Sequence, residues 1–232
     1  MAIDAWLLEQ AQPALRLYRW QRPCLSLGYH QHRLAPHWLN LAQRGAIELV
    51  RRPTGGQAVL HGGDLTYALV WPNPPLNRLQ AYAQTCGWLE KVFEQLQMPL
   101  RRGRQPATLA ASSCFATSTA ADLVHPDGSK RIGSAQVWRG GVLLQHGSIQ
   151  VAPNQELWRE VFGSAPPSLP DLKCTVDQLE TVLLEQVDQA LPLPPPVCRP
   201  LQASELADIT CRLAAYRLDS GSSPEASIPR TT

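Results

Sequence analysis

One stretch, Arg51-Arg-Pro-Thr-Gly-Gly-Gln-Ala-Val-Leu-His-Gly-Gly-Asp-Leu-Thr66, constrains this chain more than any other. It joins consecutive arginines, a Pro-Thr-Gly-Gly turn, a short apolar run, a histidine and a second glycine turn. Glu48 to Val50 before it and Leu65 to Trp71 after it read as strands, which makes the stretch a loop between sheet strands. Gly55 and Gly56 have no Cβ, so a ligand can come close to the backbone and a positive φ costs little. Successive free N–H groups in such a turn form an anion-binding concavity, and Arg51 and Arg52 could add bidentate charge. The glycine intervals are not those of a Walker loop or a dinucleotide fingerprint. By its chemistry this is a phosphate, carboxylate or thioester site; the structural alternative is a glycine hairpin with solvated arginines.

The flanking pattern gives the fold class. Ala2 to Gln10 reads as a helix with Ile3, Trp6 and Leu7 on one face and Asp4 and Glu9 on the other. Ala14 to Trp20 alternates as a half-buried strand, and Leu25 to Tyr29 is the next strand. Pro36 to Arg44 is a helix opened by proline and closed by Gly45. The longest helix, Leu76 to Gln97, turns Leu79, Tyr82, Ala83, Cys86, Leu89, Val92, Phe93 and Leu96 to the sheet. Ala121 to His125 pairs with Arg131 to Val137 through Pro126-Asp-Gly-Ser129, and Val142 to Val151 follows another glycine turn. Helices are expected over Gln155 to Phe162, over Thr175 to Leu191 with Thr175 as a candidate cap, and over Ser204 to Leu218. Strands joined by tight turns and packed with helices mean α+β, a mixed and largely antiparallel sheet. Residues 1–218 are expected to form a single domain, and the Ser-, Pro- and Thr-rich residues 219–232 a disordered tail.

A formal charge of +2 is too small to imply nucleic acid, and no basic stripe interleaves with aromatics. No apolar run reaches the length of a membrane span. The six cysteines make no C-x-x-C pair and follow no secretory leader, which favours reduced thiols and a cytoplasmic protein. His30 and His32 point to opposite sides of an extended chain with no carboxylate or thiol to complete a ligand set, so no metal is expected. Arg101 to Arg104 is either a solvated loop or a docking patch for an acidic partner.

Ala110 to Ser118 is small and polar around Cys114, a segment that exposes a thiol. Lys130, at the end of the hairpin turn, could reach both that thiol and an acyl carbonyl; a nearby ammonium favours the thiolate. Cys86 sits on the helix's packing face and reads as core. His61 and His146 lie beside strand ends and glycine turns, each a general base, a pocket wall or a hydrogen-bonded structural histidine.

Four stretches in one order resemble the lipoate–protein ligase, octanoyltransferase and biotin ligase superfamily. They are Met1-Ala-Ile-Asp-Ala-Trp-Leu-Leu8, Leu25-Ser-Leu-Gly-Tyr-His-Gln31, Arg51 to His61, and Lys130-Arg-Ile-Gly-Ser-Ala-Gln136 leading to Leu144-Gln-His-Gly-Ser-Ile149. The resemblance implies the class II biotin/lipoate ligase-like catalytic fold. Cys114-Phe115 with Ser118, Asp122 and Lys130 is similar to the cysteine-dependent octanoyltransferase branch. There the cysteine takes an octanoyl group from acyl carrier protein. It passes to a lysine of a lipoyl domain, in 2-oxoacid dehydrogenase E2 subunits or the glycine cleavage H protein, and no cofactor is needed. Cys114 and Lys130 would be catalytic; Arg51, Arg52, Thr54, Gly55, Gly56, His61, Gly133, Ser134, Ala135 and His146 would bind substrate. Two alternatives stay open: a ligase using ATP and Mg²⁺, with Arg51, Arg52 and Lys130 on the phosphate and carboxylate, and a non-catalytic relative that binds lipoyl domains or lipoate. Cys114, with no obvious second domain near the end, favours the transferase. Gln57 departs from the Arg or Gly that relatives often carry. Relatives also usually place a strand before the first helix, so either that edge strand is absent or the natural start lies upstream.

Overall fold

The computed structural model describes residues 1–74, 77–104, 115, 119–195 and 197–218. In chain order the elements are α1 (Ala2–Gln10), β1 (Ala14–Tyr18), β2 (Cys24–Leu27), α2 (Pro36–Gln43), β3 (Glu48–Arg51), β4 (Val59–His61), β5 (Asp64–Pro72) and α3 (Arg78–Gln95). Then come β6 (Arg101–Arg102), β7 (Leu123–Val124), β8 (Lys130–Arg139), β9 (Val142–Gln150), α4 (Gln155–Phe162), α5 (Val176–Ala190), α6 (Ala203–Thr210) and α7 (Leu213–Tyr216). One sheet runs β1-β5-β9-β8-β7-β6, antiparallel throughout; the other runs β3-β2-β4, with β2 parallel to β3 and antiparallel to β4. The architecture is α+β, mixed and largely antiparallel. None of the described helices is long and apolar enough to cross a membrane.

Alternation along β5 and β9 decides how the layers assemble, because successive side chains leave a strand on opposite faces. Leu65, Tyr67, Leu69, Trp71, Leu143 and Ile149 turn to one face and are sealed by Cys86, Trp88, Leu89, Val92 and Phe93 of α3 and by Leu179, Leu183 and Val187 of α5. Each such buried side chain contributes about 1.5–3 kcal/mol. Burial also pushes the Cys86 thiol up to about 12, so it is an inert core residue. On the opposite face of the same strands stand Ala68, Val70, Val142 and Leu144 at one end, under Leu8 of α1. At the other end of that face are Asp64, Thr66, Ser148 and Gln150, all buried. One layer of sheet thus separates an apolar core from a polar interior.

Helix ends follow sequence chemistry. Asn77 with Gln80 and Thr175 with Gln178 form capping boxes on α3 and α5, each satisfying orphan N–H groups. Asn154 caps α4, and Gly163 in the left-handed region ends it. The face of α3 differs from expectation: Leu79 is 73% exposed, while Thr85 and Trp88 turn inward. The reason is specific contact, since Thr85 Oγ1 donates to Gln145 Oε1 at 2.6 Å and Trp88 packs edge-on to Tyr67. The last expected helix is broken into α6 and α7. Past α7 the chain is drawn extended, with Arg217 bridging Val50 and Leu218 N–H donating to Leu49 O.

The signature stretch is not one loop. Its apolar run forms β4, paired with β2 in the register Cys24–His61 and Ser26–Val59. Arg101 and Arg102 of the basic cluster also have structural partners: Arg101 donates to Pro126 O, and Arg102 to Ala83 O beside Glu90.

Gly147 lets Tyr67 pass under β9. A Cβ there would lie 2.6 Å from Tyr67 Cε1 and 2.7 Å from Gly133 O. Gly147→Ala should destabilise the protein by about 1–3 kcal/mol through overpacking, read as a lowered urea midpoint with an unchanged slope.

Candidate active site

A cleft of about 420 Å³ lies between the two sheets. Its walls include Ser26 of β2, His61 of β4, Thr66 of β5, Gly133 to Ala135 of β8, His146 to Ser148 of β9, and Arg52 and Gly56 of the signature stretch. Of the residues singled out from the sequence, Arg52, Gly56, His61, Gly133, Ser134, Ala135 and His146 converge here. Arg51, Thr54 and Gly55 do not line the cleft. Cys114 lies outside the described residues, as does most of the small polar segment around it.

His61 is fixed at both nitrogens. Its Nδ1 is 2.7 Å from Asp64 Oδ2 and its Nε2 is 2.8 Å from Ser26 Oγ. Trp20 stacks on the ring with centroids 4.5 Å apart. Asp64 also accepts from Ser148 Oγ at 2.6 Å, Thr66 Oγ1 at 3.1 Å and the Gly62 N–H at 3.1 Å. Burial by itself would raise the Asp64 carboxyl, but its pairing with His61 and the hydrogen bonds from Ser148 and Gly62 hold it below the ordinary carboxylate range. A carboxylate that only accepts makes Nδ1 the protonated nitrogen, so the Ser26 hydroxyl donates to Nε2.

A second histidine is built the same way on the larger sheet. His146 Nε2 is 2.5 Å from Thr54 Oγ1 and Nδ1 is 3.3 Å from Asp4 Oδ2. Asp4 was expected on the outer face of α1; it is fully buried instead, held by Arg16 at 2.7 Å and the Tyr18 hydroxyl at 3.0 Å. A charge on an apolar helix stays buried only where partners like these wait on the sheet. Burial lowers the His146 pKa, and the hydrogen bond and charge of Asp4 only partly oppose it.

The arginines brace the backbone rather than lying solvated. Both are buried. Arg51 Nη1 donates to Gln31 O at 2.6 Å and Gly28 O at 3.2 Å. Arg52 donates to Ser26 O at 2.8 Å, Gly55 O at 2.8 Å and Gln57 O at 2.6 Å. Gly56 has φ +91°, with Arg52 packed where a Cβ would point, so the glycine is needed for the reason anticipated. The fork geometry of guanidinium suits several carbonyls at once, and here it sets the shape of the turn.

Lys130, first residue of β8, is buried with its Nζ 3.0 Å from Asp122 Oδ2 and 5.0 Å from the centre of the Phe115 ring. A Cβ on the cleft residue Gly133 would lie 3.5 Å from Nζ, which puts the ammonium at the cleft's edge. Asp122 also accepts from the Thr119 N–H at 2.7 Å and hydroxyl at 3.0 Å. The hairpin behind Lys130 is braced by Arg131, which donates to His125 Nε2 at 2.9 Å and Gln150 O at 2.8 Å. Sequence reading missed Ser26, Asp64 and Asp4 as site residues. The one available signal for Asp64 was its place three residues after His61, and for Asp4 its isolation among Ala2, Ile3, Ala5 and Trp6. Among the described residues no cluster of His, Cys, Asp and Glu could hold a metal ion; His30 and His32 are exposed.

Two sheets thus close on a cleft of histidines and hydroxyls, with a buried lysine at its edge. The same fold occurs in a lipoate-protein ligase A bound with ATP, at TM-score 0.72 and 18% identity over 91% of this chain and 87% of that one. It occurs also in the bi-partite lipoate protein ligase of Thermoplasma acidophilum with its E2 lipoyl domain, at TM-score 0.70 and 19% identity over 91% of this chain and 85% of that one. A family profile described as lipoyl protein ligase A/B catalytic domain matches residues 1–191, and the chain belongs to that family. Octanoyltransferase LipM of Oceanobacillus iheyensis is 35% identical over 172 residues, 70% of this chain and 63% of that protein. Its counterpart in Carboxydothermus hydrogenoformans is 40% identical over 162 residues, 65% of this chain and 60% of that protein. The chain therefore spans less than two thirds of the length of these relatives.

The depressed His146 pKa fixes a sign. Unfolded, the imidazole titrates near ~6.5; folded, it titrates lower. The stability it confers is complete above about pH 6.5 and is lost as pH falls toward the folded value. Denaturant unfolding free energy should fall from neutral pH to mild acid, and His146→Gln should flatten that fall by up to one proton's slope.

Proposed function

We propose that this protein is an octanoyltransferase, moving an octanoyl group from acyl carrier protein to a lysine of a lipoyl domain through a thioester on Cys114. The observation that carries the reading is Lys130. Its buried ammonium stands at the cleft's edge against Phe115, the residue bonded to Cys114, in a chain 35% identical over 172 residues to Octanoyltransferase LipM. An ammonium beside a thiol favours the thiolate, which is the nucleophile.

In this reading the Cys114 thiolate attacks the octanoyl thioester carbonyl and the carrier's thiol leaves. A lysine amine of the lipoyl domain then attacks the enzyme thioester. Lys130 and nearby backbone N–H groups stabilise the oxyanion of each step. The cleft between β2, β4 and β8–β9 takes the acyl chain and the carbonyl. Residues 1–218 act as one catalytic domain, and no cofactor enters the reaction. The E2 lipoyl domain named with the T. acidophilum ligase supports lipoyl domains as the acceptor class. The arginine geometry supports a transferase over an ATP-using ligase, because the guanidinium groups of Arg51 and Arg52 are directed to backbone carbonyls.

Intact mass of an apo lipoyl domain, incubated with this protein and octanoyl-acyl carrier protein without ATP, should rise by one octanoyl group. Cys114→Ser should abolish the gain, and Lys130→Arg, which keeps the charge beside Asp122, should slow it about 100-fold or more. A gain seen only with lipoate and ATP would replace this reading by the ligase.

A further inference from the structure

The two histidines of the cleft have the same arrangement, a buried carboxylate on Nδ1 and a hydroxyl at Nε2, but only one arrangement ends in the cleft. Thr54, beyond His146, does not line the cleft. Ser26, beyond His61, lines the cleft and is itself fully buried. Ser26 Oγ also accepts from Arg52 Nη1 at 3.3 Å, which leaves its own proton directed at His61 Nε2.

We infer that Ser26, His61 and Asp64 form a proton relay that deprotonates the attacking amine of the acceptor lysine. The inference rests on the lysine-acceptor part of the proposed function and is independent of the thioester, since an acyl adenylate would need the same step. A lysine arrives as an ammonium with an ordinary pKa near ~10.4, so the transfer needs two protons removed from nitrogen. The first is lost to solvent, and the free amine attacks the acyl carbonyl to form the C–N bond. The nitrogen of that adduct is cationic. It gives its second proton to Ser26 Oγ as Ser26 gives its own to His61 Nε2. The carbonyl re-forms, the C–S bond breaks and its electron pair leaves on sulfur. The imidazolium then returns its proton to the thiolate or to solvent. Asp64 is the positioning residue: it fixes the tautomer and steadies the imidazolium, and Ser148, Thr66 and Gly62 hold Asp64 in turn.

The site's other chemistry leaves this role open. Lys130 is ion-paired with Asp122 at 3.0 Å and serves the oxyanion. His146 is kept from charging by burial. The charged and titratable groups facing the relay include Asp64 from β5, Arg52 from the signature stretch, His146 from β9, Met1 of the cleft wall, Tyr18 of β1 and the buried Cys24 paired with His61 across β2 and β4.

The test is single-turnover transfer with wild type, Ser26→Ala, His61→Gln and Asp64→Asn, from about pH 6 to about 10. The acyl group is weighed on this protein and on the lipoyl domain, and melting temperatures are recorded. Ser26→Ala and His61→Gln alter the cleft that takes the acyl chain, so their transfer is counted per acyl group loaded. Their transfer should be about 100-fold slower near neutral pH, and the deficit should close as pH rises and hydroxide takes the adduct's second proton in place of the relay. Asp64→Asn should share the shape of that profile. Transfer within about threefold of wild type for either Ser26→Ala or His61→Gln would overturn the relay, as would a pH-independent loss that matches a loss of loading. If wild type does not load but transfers with lipoate and ATP, the transferase reading falls. The same variants are then judged by the same criteria in that reaction.

Discussion

The Asp64 carboxylate is the point on which the cleft depends. It is buried between sheets and accepts from His61 of β4, Thr66 of its own strand, Ser148 of β9 and the Gly62 turn. Removing such a charge from water is costly unless its lone pairs are satisfied. The partners that satisfy it are the residues that must be placed for a site to exist. Satisfying the buried charge therefore brings the small sheet, the large sheet and the glycine turn into one register.

The same economy governs the other buried charges. Asp4 draws α1 onto the sheet through Arg16, Tyr18 and His146. Asp122 holds Lys130 at the cleft's edge. Arg52 gathers the Gly55 and Gln57 carbonyls of the signature turn together with Ser26 O of β2, and Arg51 reaches Gly28 O and Gln31 O beyond that strand. The turn is thus shaped by arginine from within, and it meets the cleft through Arg52 and Gly56.

Much of the architecture was legible because it follows local chemistry. The Thr175 cap, the hairpin through Pro126 to Ser129 and the period-two strands each have a mechanism that acts within a few residues. What was misread depended on distant partners. Leu79 fits the helical period of α3, yet Trp88 and Thr85 turn the helix by contacts with Tyr67 and Gln145. The final helix carries no proline or glycine between Ser204 and Leu218; its extended end, after Tyr216, pairs with Leu49 and Val50.

The sequence by itself determined the family, the α+β class and the candidates His61, His146 and Lys130, because ordered motifs and short-range periodicity are written in neighbouring residues. Only the tertiary structure decided which polar side chains share an interior. Ser26, Asp64, Thr66 and Ser148 meet from separate strands, and Asp4 reaches His146 from a helix 142 positions away. The physical reason is that hydrogen-bond partners for a buried charge are chosen by strand register and layer packing, and neither is a property of local sequence.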